Sequence, residues 1–342
     1  MTIQSFSQFM HEALYAEDGY YFKTKEKIGS KGDFITSSNF GMIFAEVFSS
    51  YFLKKVNEKE FSPNIVEIGA GTGKFSKVVY NFLKEKLVTF QYILIEESPY
   101  HRELLNEQLG KEKDVLIFNN IESAKEHLSR LDSGIVFMNE LLDAIPTEIV
   151  KKVDGEFLQL FVNVGEKGYI EEFRPLEKEV QTYINRYDFS KCNNDHRIEV
   201  STKSSEFLQE LFTILPKMLV VNVDYGYVTE EMCRDYLRNG SIRGYYKHQL
   251  IENVYDHFKE MDITYHIHWD EFFYQAERAG FKKLAFSSQQ EFLMENGILN
   301  LLNETIETDP FHPSHKRNRQ IKGLLMGSGI SQSLQVGIVE RK

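Results

Sequence analysis

Along the chain, the sharpest hydrophobic pattern is the run Ile65-Val66-Glu67-Ile68, which stops in glycines at alternate positions, Gly69, Gly71 and Gly73. Phe75, Val78, Val79, Phe82 and Leu83 then recur at i, i+3, i+4, i+7 and i+8, the spacing of an amphipathic helix. Apolar runs at residues 92–95, 115–118 and 134–138 alternate with helical patterns, which predicts a doubly wound parallel sheet. A run at 218–223 resumes that sheet, and further strands are expected near 282–286 and 333–339.

The flanking segments are also patterned. Ser5 and Gln8 form a capping box before a helical face of Phe6, Phe9, Met10, Ala13 and Leu14, and positions 44, 47, 48, 51 and 52 give a second helix. Asp154-Gly155 centres a hairpin over residues 149–162, and a helix is expected near 203–214. Residues 227–268 show no clear period and read as an insertion or lid. Asp270 is placed to cap a helix carrying Phe272, Phe273 and Ala276 that stops at Gly280. Ser288 and Glu291 make another capping box. The economical division is an N-terminal helical extension over 1–62 and one α/β core over 63–342, with insertions at about 147–216 and 227–268.

Composition narrows the function. In 342 residues, 42% are hydrophobic, ample for a core, and the formal net charge of −11 argues against nucleic acid as a main partner. Cys192 and Cys233 stand in dissimilar contexts with no ligand spacing, so incidental thiols are expected, with neither a disulfide nor a metal site. No basic-then-apolar leader and no run of 18 apolar residues is present, so a cytoplasmic protein without a membrane span is expected.

The glycine turn selects the ligand class. A dinucleotide turn, G-x-G-x-x-G, wants its third glycine where Lys74 stands, and a P-loop wants Ser or Thr after the lysine, where Phe75 stands. The spacing that fits is E/D-x-G-x-G-x-G, the first motif of class I S-adenosylmethionine-dependent methyltransferases. Glu96 ends the second strand, 23 residues after Gly73, where a carboxylate can accept from both ribose hydroxyls.

The chain resembles the MidA family of methyltransferases, which includes a mitochondrial complex I assembly factor with protein arginine methyltransferase activity. The resemblance rests on Leu14-Tyr15 with Gly19-Tyr20-Tyr21, on Gly32-Asp33-Phe34-Ile35-Thr36, on Glu67 to Gly73, and on Glu96-Glu97-Ser98-Pro99. It continues through Asn139-Glu140-Leu141-Leu142-Asp143-Ala144-Ile145-Pro146, Asp224-Tyr225-Gly226, Arg243-Gly244-Tyr245-Tyr246 with His248, and Asp262 to His266. His268-Trp269 departs from the Asp-Phe that the family usually has.

The resemblance implies a Rossmann-like, seven-stranded, mostly parallel core that binds S-adenosyl-L-methionine, with the insertions forming a substrate lid. It implies a cofactor set of Asp33, Thr36, Glu67, Gly69, Gly71, Gly73, Glu96 and Asn139, the first two from a loop that closes over the cofactor. Glu140 and Asp143 follow the fourth strand three residues apart. Either they share one side of an incipient helix and hold a guanidinium, or they are helix-end acids with Asn139 as cap. Tyr225 is a candidate for the substrate pocket, and His266 is either a pocket residue or, the simpler reading, a packed structural histidine. The expected activity is methylation of a protein side chain, arginine by the resemblance. The alternatives are a small-molecule or RNA methyltransferase, or an assembly protein that keeps the pocket without turnover. The insertions serve substrate recognition or homodimerisation equally well on the sequence alone.

Overall fold

The computed structural model describes residues 2–23, 41–165, 168–303, 312–326 and 334–342. Seven strands carry the central sheet: β1 (Asn64–Ile68), β2 (Gln91–Ile95), β3 (Val115–Phe118), β4 (Ser133–Asn139), β5 (Lys217–Tyr227), β6 (Lys282–Ser288) and β7 (Leu334–Arg341). Their order across the sheet is β6-β7-β5-β4-β1-β2-β3. β1 to β5 pair in parallel, and β7 runs antiparallel to both of its neighbours. The two residues Ile267–His268 add a short parallel pairing to β5. The expected strands are present within a few residues of their predicted ends.

A parallel sheet is buried on both faces, and side-chain alternation divides its residues between two cores. Val66, Ile68, Ile93, Ile95, Val136 and Met138 pack on one side with α1 (Phe6–Tyr15). Ile65, Tyr92, Leu94, Ile135 and Phe137 pack on the other with α2 (Gly41–Asn57) and α3 (Lys74–Lys86). The Phe75 ring of α3 stacks on Phe137 at 4.6 Å, which sets the helix against the sheet beside the glycine turn. Ser5 and Gln8 form the capping box that their spacing predicts. Ser98 caps α4 (Pro99–Leu109), with proline at its start.

The first insertion is an antiparallel sheet. The hairpin of Glu148–Val153 and Glu156–Gly165 turns through Asp154 and Gly155, both with positive φ (50° and 89°), as a tight hairpin requires. The N-terminal strand Thr2–Ser5 pairs with Glu156–Gly165, so the extension contributes a strand as well as helices. Residues 227–268, which show no period, contain a three-stranded sheet of Arg243–Tyr246, Gln249–Ile251 and Asp262–Thr264. Short strands paired across long sequence separations leave little periodicity to read.

Two expectations are corrected here. Helix Trp269–Arg278 has His268 at its N-cap position, not Asp270. Asp270 instead reaches back to accept from the Thr229 backbone N–H (2.8 Å) and hydroxyl, because the end of β5 lies against this helix start. Cys192 and Cys233 are not incidental thiols: they form a disulfide, with Cα atoms 4.5 Å apart. Both are buried in an apolar cluster with Val180, Tyr183 and Phe189, which brings the first insertion against the chain that follows β5. The bond closes a sequence separation of 41 residues. Replacing both cysteines with serine is therefore expected to lower stability by about 3–4 kcal/mol through the freed unfolded chain. Urea midpoints of the oxidised protein and the double variant test this, and equal midpoints would mean that the thiols are unpaired in solution.

Candidate active site

At the C-terminal edge of the parallel strands lies a cavity of about 840 Å³, the place and size expected for a ligand site in an open α/β sheet. The glycine turn forms part of its wall. Gly69, Gly71 and Gly73 all have positive φ (77°, 55° and 77°), which side chains resist. Space is closed as well: a Cβ on Gly69 would lie 2.9 Å from Leu141 Cδ1, and one on Gly73 would lie 2.7 Å from Leu105 Cδ2. The Gly69 N–H donates to the Ile95 carbonyl (2.8 Å), which fixes the turn to the end of β2.

Glu96 stands one residue beyond β2 and is buried. Its Oε2 accepts from the Gly71 N–H (2.7 Å) and its Oε1 from the Ser98 N–H (2.8 Å). Each oxygen keeps a further acceptor direction, so the group is oriented and can still take two hydroxyls. Glu67 lies on the α3-covered face of β1, where burial pushes its carboxyl up to about 7 and Tyr92 donates to it. Asn139 lines the cavity and gives its Nδ2 to Glu140 Oε1 (3.1 Å), while its buried Oδ1 has no partner. Open glycines, an oriented carboxylate and an unpaired amide oxygen fit a cofactor that carries hydroxyls and an ammonium group and lacks phosphate. Asp33 and Thr36 lie outside the described residues.

Beside the glycine turn the cavity also holds a carboxylate cluster. Asp143 is buried, accepts from the Thr264 hydroxyl (2.8 Å), and is pushed up to about 8 by burial and by the nearby Glu140. Asp224, fully buried behind it, accepts from the Leu142 N–H (3.0 Å) and Tyr225 N–H (2.9 Å), which holds the 140–143 loop. Burial and then Asp143 raise the Asp224 carboxyl well above its ordinary value. Glu140 adopts φ 48°, a left-handed conformation costly for a non-glycine residue. The incipient helix expected through Glu140 is therefore absent, and a single tight turn, Leu142–Ala144, takes its place. Asn139 is not the cap of this turn, whose cap position is Leu141; Glu140 lies ahead of it and Asp143 within it.

Tyr225, Arg243 and Asp262 also line the cavity. His266 does not. Its Nε2 meets Arg243 Nη2 at 2.6 Å, its ring stacks with Tyr225 at 5.8 Å, and burial drives its pKa down to about 3, so it backs Arg243 as a neutral base. His268, at the departure from the family pattern, is buried between the Tyr183 hydroxyl and Thr229 Oγ1, each 2.8 Å away, in contact with the first insertion. Asp224, Arg243, Asp262 and Thr264 stand in motif blocks of the sequence, yet nothing in their spacing gives them a role. Only the fold brings them beside Asp143. Among the described residues, no cluster of His, Cys, Asp and Glu is arranged to hold a metal, and no helix is long and apolar enough to cross a membrane.

Stability should record the buried acid. Asp143 is raised in the folded state above its unfolded value near 4, so the folded protein holds the extra proton and its stability falls as pH rises between about 4 and 8. Relative to wild type, Asp143→Asn is expected to gain up to about 1.4 kcal/mol per pH unit across that window and nothing above it. Urea midpoints at stepped pH measure the difference, and a flat difference would refute the assignment.

Comparison with known proteins agrees with this geometry. The curated relatives include "Protein arginine methyltransferase NDUFAF7, mitochondrial" from Mus musculus, 23% identical over 274 residues, covering 71% of this chain and 60% of the relative. The Xenopus tropicalis protein of the same name is 23% identical over 318 residues, covering 85% and 71%. This chain thus spans about 60% of the length of the mouse relative. The crystal structure of a Burkholderia thailandensis protein bound to S-adenosyl-homocysteine shares the fold, with a TM-score of 0.86 at 22% identity, covering 99% of this chain and 88% of that one. The model of a family described as "Putative S-adenosyl-L-methionine-dependent methyltransferase" matches residues 47–287, from within α2 to the end of β6. With this match over most of its length, and with the glycine turn and the Glu96 carboxylate at the cavity, the chain belongs to this family of S-adenosyl-L-methionine-dependent methyltransferases.

Proposed function

We propose that the chain transfers a methyl group from S-adenosyl-L-methionine to a protein side chain, an arginine guanidinium. The observation that carries this reading is the convergence of Glu140 and Asp143 on the cavity beside the glycine turn, with Asp262 also lining it. Six carboxylates and two fixed cations, Lys74 and Arg243, are among the cavity residues. That balance favours a cationic acceptor. The name of the NDUFAF7 relatives supports the same class.

The bound cofactor supplies a methyl group on a sulfonium. Gly69, Gly71 and Gly73 would make room for it, Glu96 would take its ribose hydroxyls and Asn139 would accept from its ammonium. Glu140 and Asp143 hold the guanidinium by charge-assisted hydrogen bonds, which aims one nitrogen along the transfer line. An incoming cation favours the charged form of Asp143 and drops its raised pKa. One of the two carboxylates then takes the proton that the methylated nitrogen loses. The insertions shape the acceptor mouth.

Gly71→Arg is expected to abolish binding of S-adenosyl-homocysteine in calorimetric titration, because a long side chain fills the turn. Unchanged affinity in a folded variant would end the cofactor assignment. Glu140→Gln and Asp143→Asn should bind that ligand within about twofold of wild type and lose at least about 100-fold in turnover. Turnover is read with labelled cofactor in a lysate, followed by protease, nuclease and acid hydrolysis. Label recovered as methylarginine supports the proposal. Label released by nuclease or found in small molecules refutes the arginine acceptor, as would normal turnover in both variants.

A further inference from the structure

The short helical turn Tyr20–Phe22 lines the cavity and bonds both to the Glu96–Ser98 segment and to Asp262. On the cofactor side, the Tyr21 carbonyl accepts from Ser98 Oγ at 2.8 Å. Ser98 in turn gives its N–H to Glu96 Oε1, the carboxylate that also holds Gly71. On the acceptor side, the Tyr21 phenol donates to Asp262 Oδ1 at 2.8 Å. Asp262 opens the strand whose Thr264 hydroxyl donates to Asp143, and the next residue, Tyr265, gives its N–H to the Asp143 carbonyl (3.3 Å). The Tyr21 ring stacks on Tyr15 at 5.3 Å, and the Tyr15 phenol donates to the Ala144 carbonyl at 3.0 Å, which ties the same residue to the 140–144 loop.

We propose that Tyr21 is a positioning residue that passes occupation of the cofactor site to the acceptor site, so that the cofactor binds first and completes the acceptor pocket. The inference rests on Glu96 being the cofactor's ribose ligand. A ligand on Glu96 narrows the range of that carboxylate, and with it of Ser98 and the Tyr21 carbonyl. The phenol, one rigid ring away, then holds Asp262 and the strand beside Asp143 in fewer arrangements. Coupling of this kind needs only that one ligand orders a group the second must also order.

Hydrogen exchange of the full chain, with and without S-adenosyl-homocysteine, tests the coupling. In wild type the ligand should slow exchange at residues 69–73 and 96–102, and also at 262–266. In Tyr21→Phe, which keeps the carbonyl and loses only the phenol oxygen, protection at the turn should persist. The ligand-dependent slowing at 262–266 should shrink by up to about tenfold, the upper size of the net contribution of one hydrogen bond. Asp262→Asn, which weakens the same bond from its other end, should give the same pattern. The proposal is overturned if ligand-dependent protection at 262–266 is equal in wild type and both variants. It is also overturned if the variants exchange faster there by the same factor with and without ligand, which marks a merely structural tie. Wild-type protection at the turn but not at 262–266 removes the coupling alone. Its absence at both removes the cofactor reading with it.

Discussion

Burial of carboxyl groups at the carboxyl edge of a parallel sheet is the constraint on which the rest of this structure depends. Asp143 and Asp224 are almost wholly enclosed, with Glu140 close by, and a carboxylate removed from water is costly unless something compensates it. The compensation is assembled from distant parts of the chain: two backbone N–H groups for Asp224, a threonine hydroxyl for Asp143, and the Arg243 guanidinium nearby. It is incomplete, so both acids sit above their ordinary range. A site left short of positive charge in this way is a site that a cation can complete.

The remainder of the fold supports that edge. The two apolar cores fix β1, β4 and β5 side by side, so that the glycine turn, the 140–143 loop and Asp224 emerge together. The second insertion supplies Arg243, Asp262 and Thr264 from a three-stranded sheet, and Glu199 of the first insertion accepts from the Ser241 and Ile242 N–H groups just ahead of Arg243 (2.6 and 3.0 Å). The disulfide holds those insertions to one another. What resembled decoration of a core is the wall of the pocket.

The cofactor half was legible because its requirements are local. Glycines at alternate positions after a buried strand, and an acid at the end of the next strand, are adjacent in sequence for the same reason that they are adjacent in space: each ends a strand of one parallel pair. The carboxylate cluster was only partly legible. Glu140 and Asp143 do line one cavity, but three-residue spacing suggests a helix and the left-handed Glu140 breaks it. For His266 the sequence leaves a pocket role and a packed structural role open, the latter the simpler, and the structure sets it buried behind Arg243. The pairing of Cys192 with Cys233 carried no signal, because two cysteines 41 residues apart meet only when two insertions pack.

The sequence by itself therefore determined the doubly wound core, the glycine turn, the Ser5, Ser98 and Ser288 caps and the class of cofactor, since periodicity, turn chemistry and short-range hydrogen bonds are written in neighbouring residues. Tertiary structure alone decided which carboxylates share a site, which cation balances them, and how the N-terminal turn at Tyr21 bonds both to the Glu96–Ser98 segment and to Asp262. Those properties depend on burial and on pairs separated by more than a hundred residues, such as Tyr21 with Asp262 and Asp143 with Thr264, where spacing along the chain holds no information.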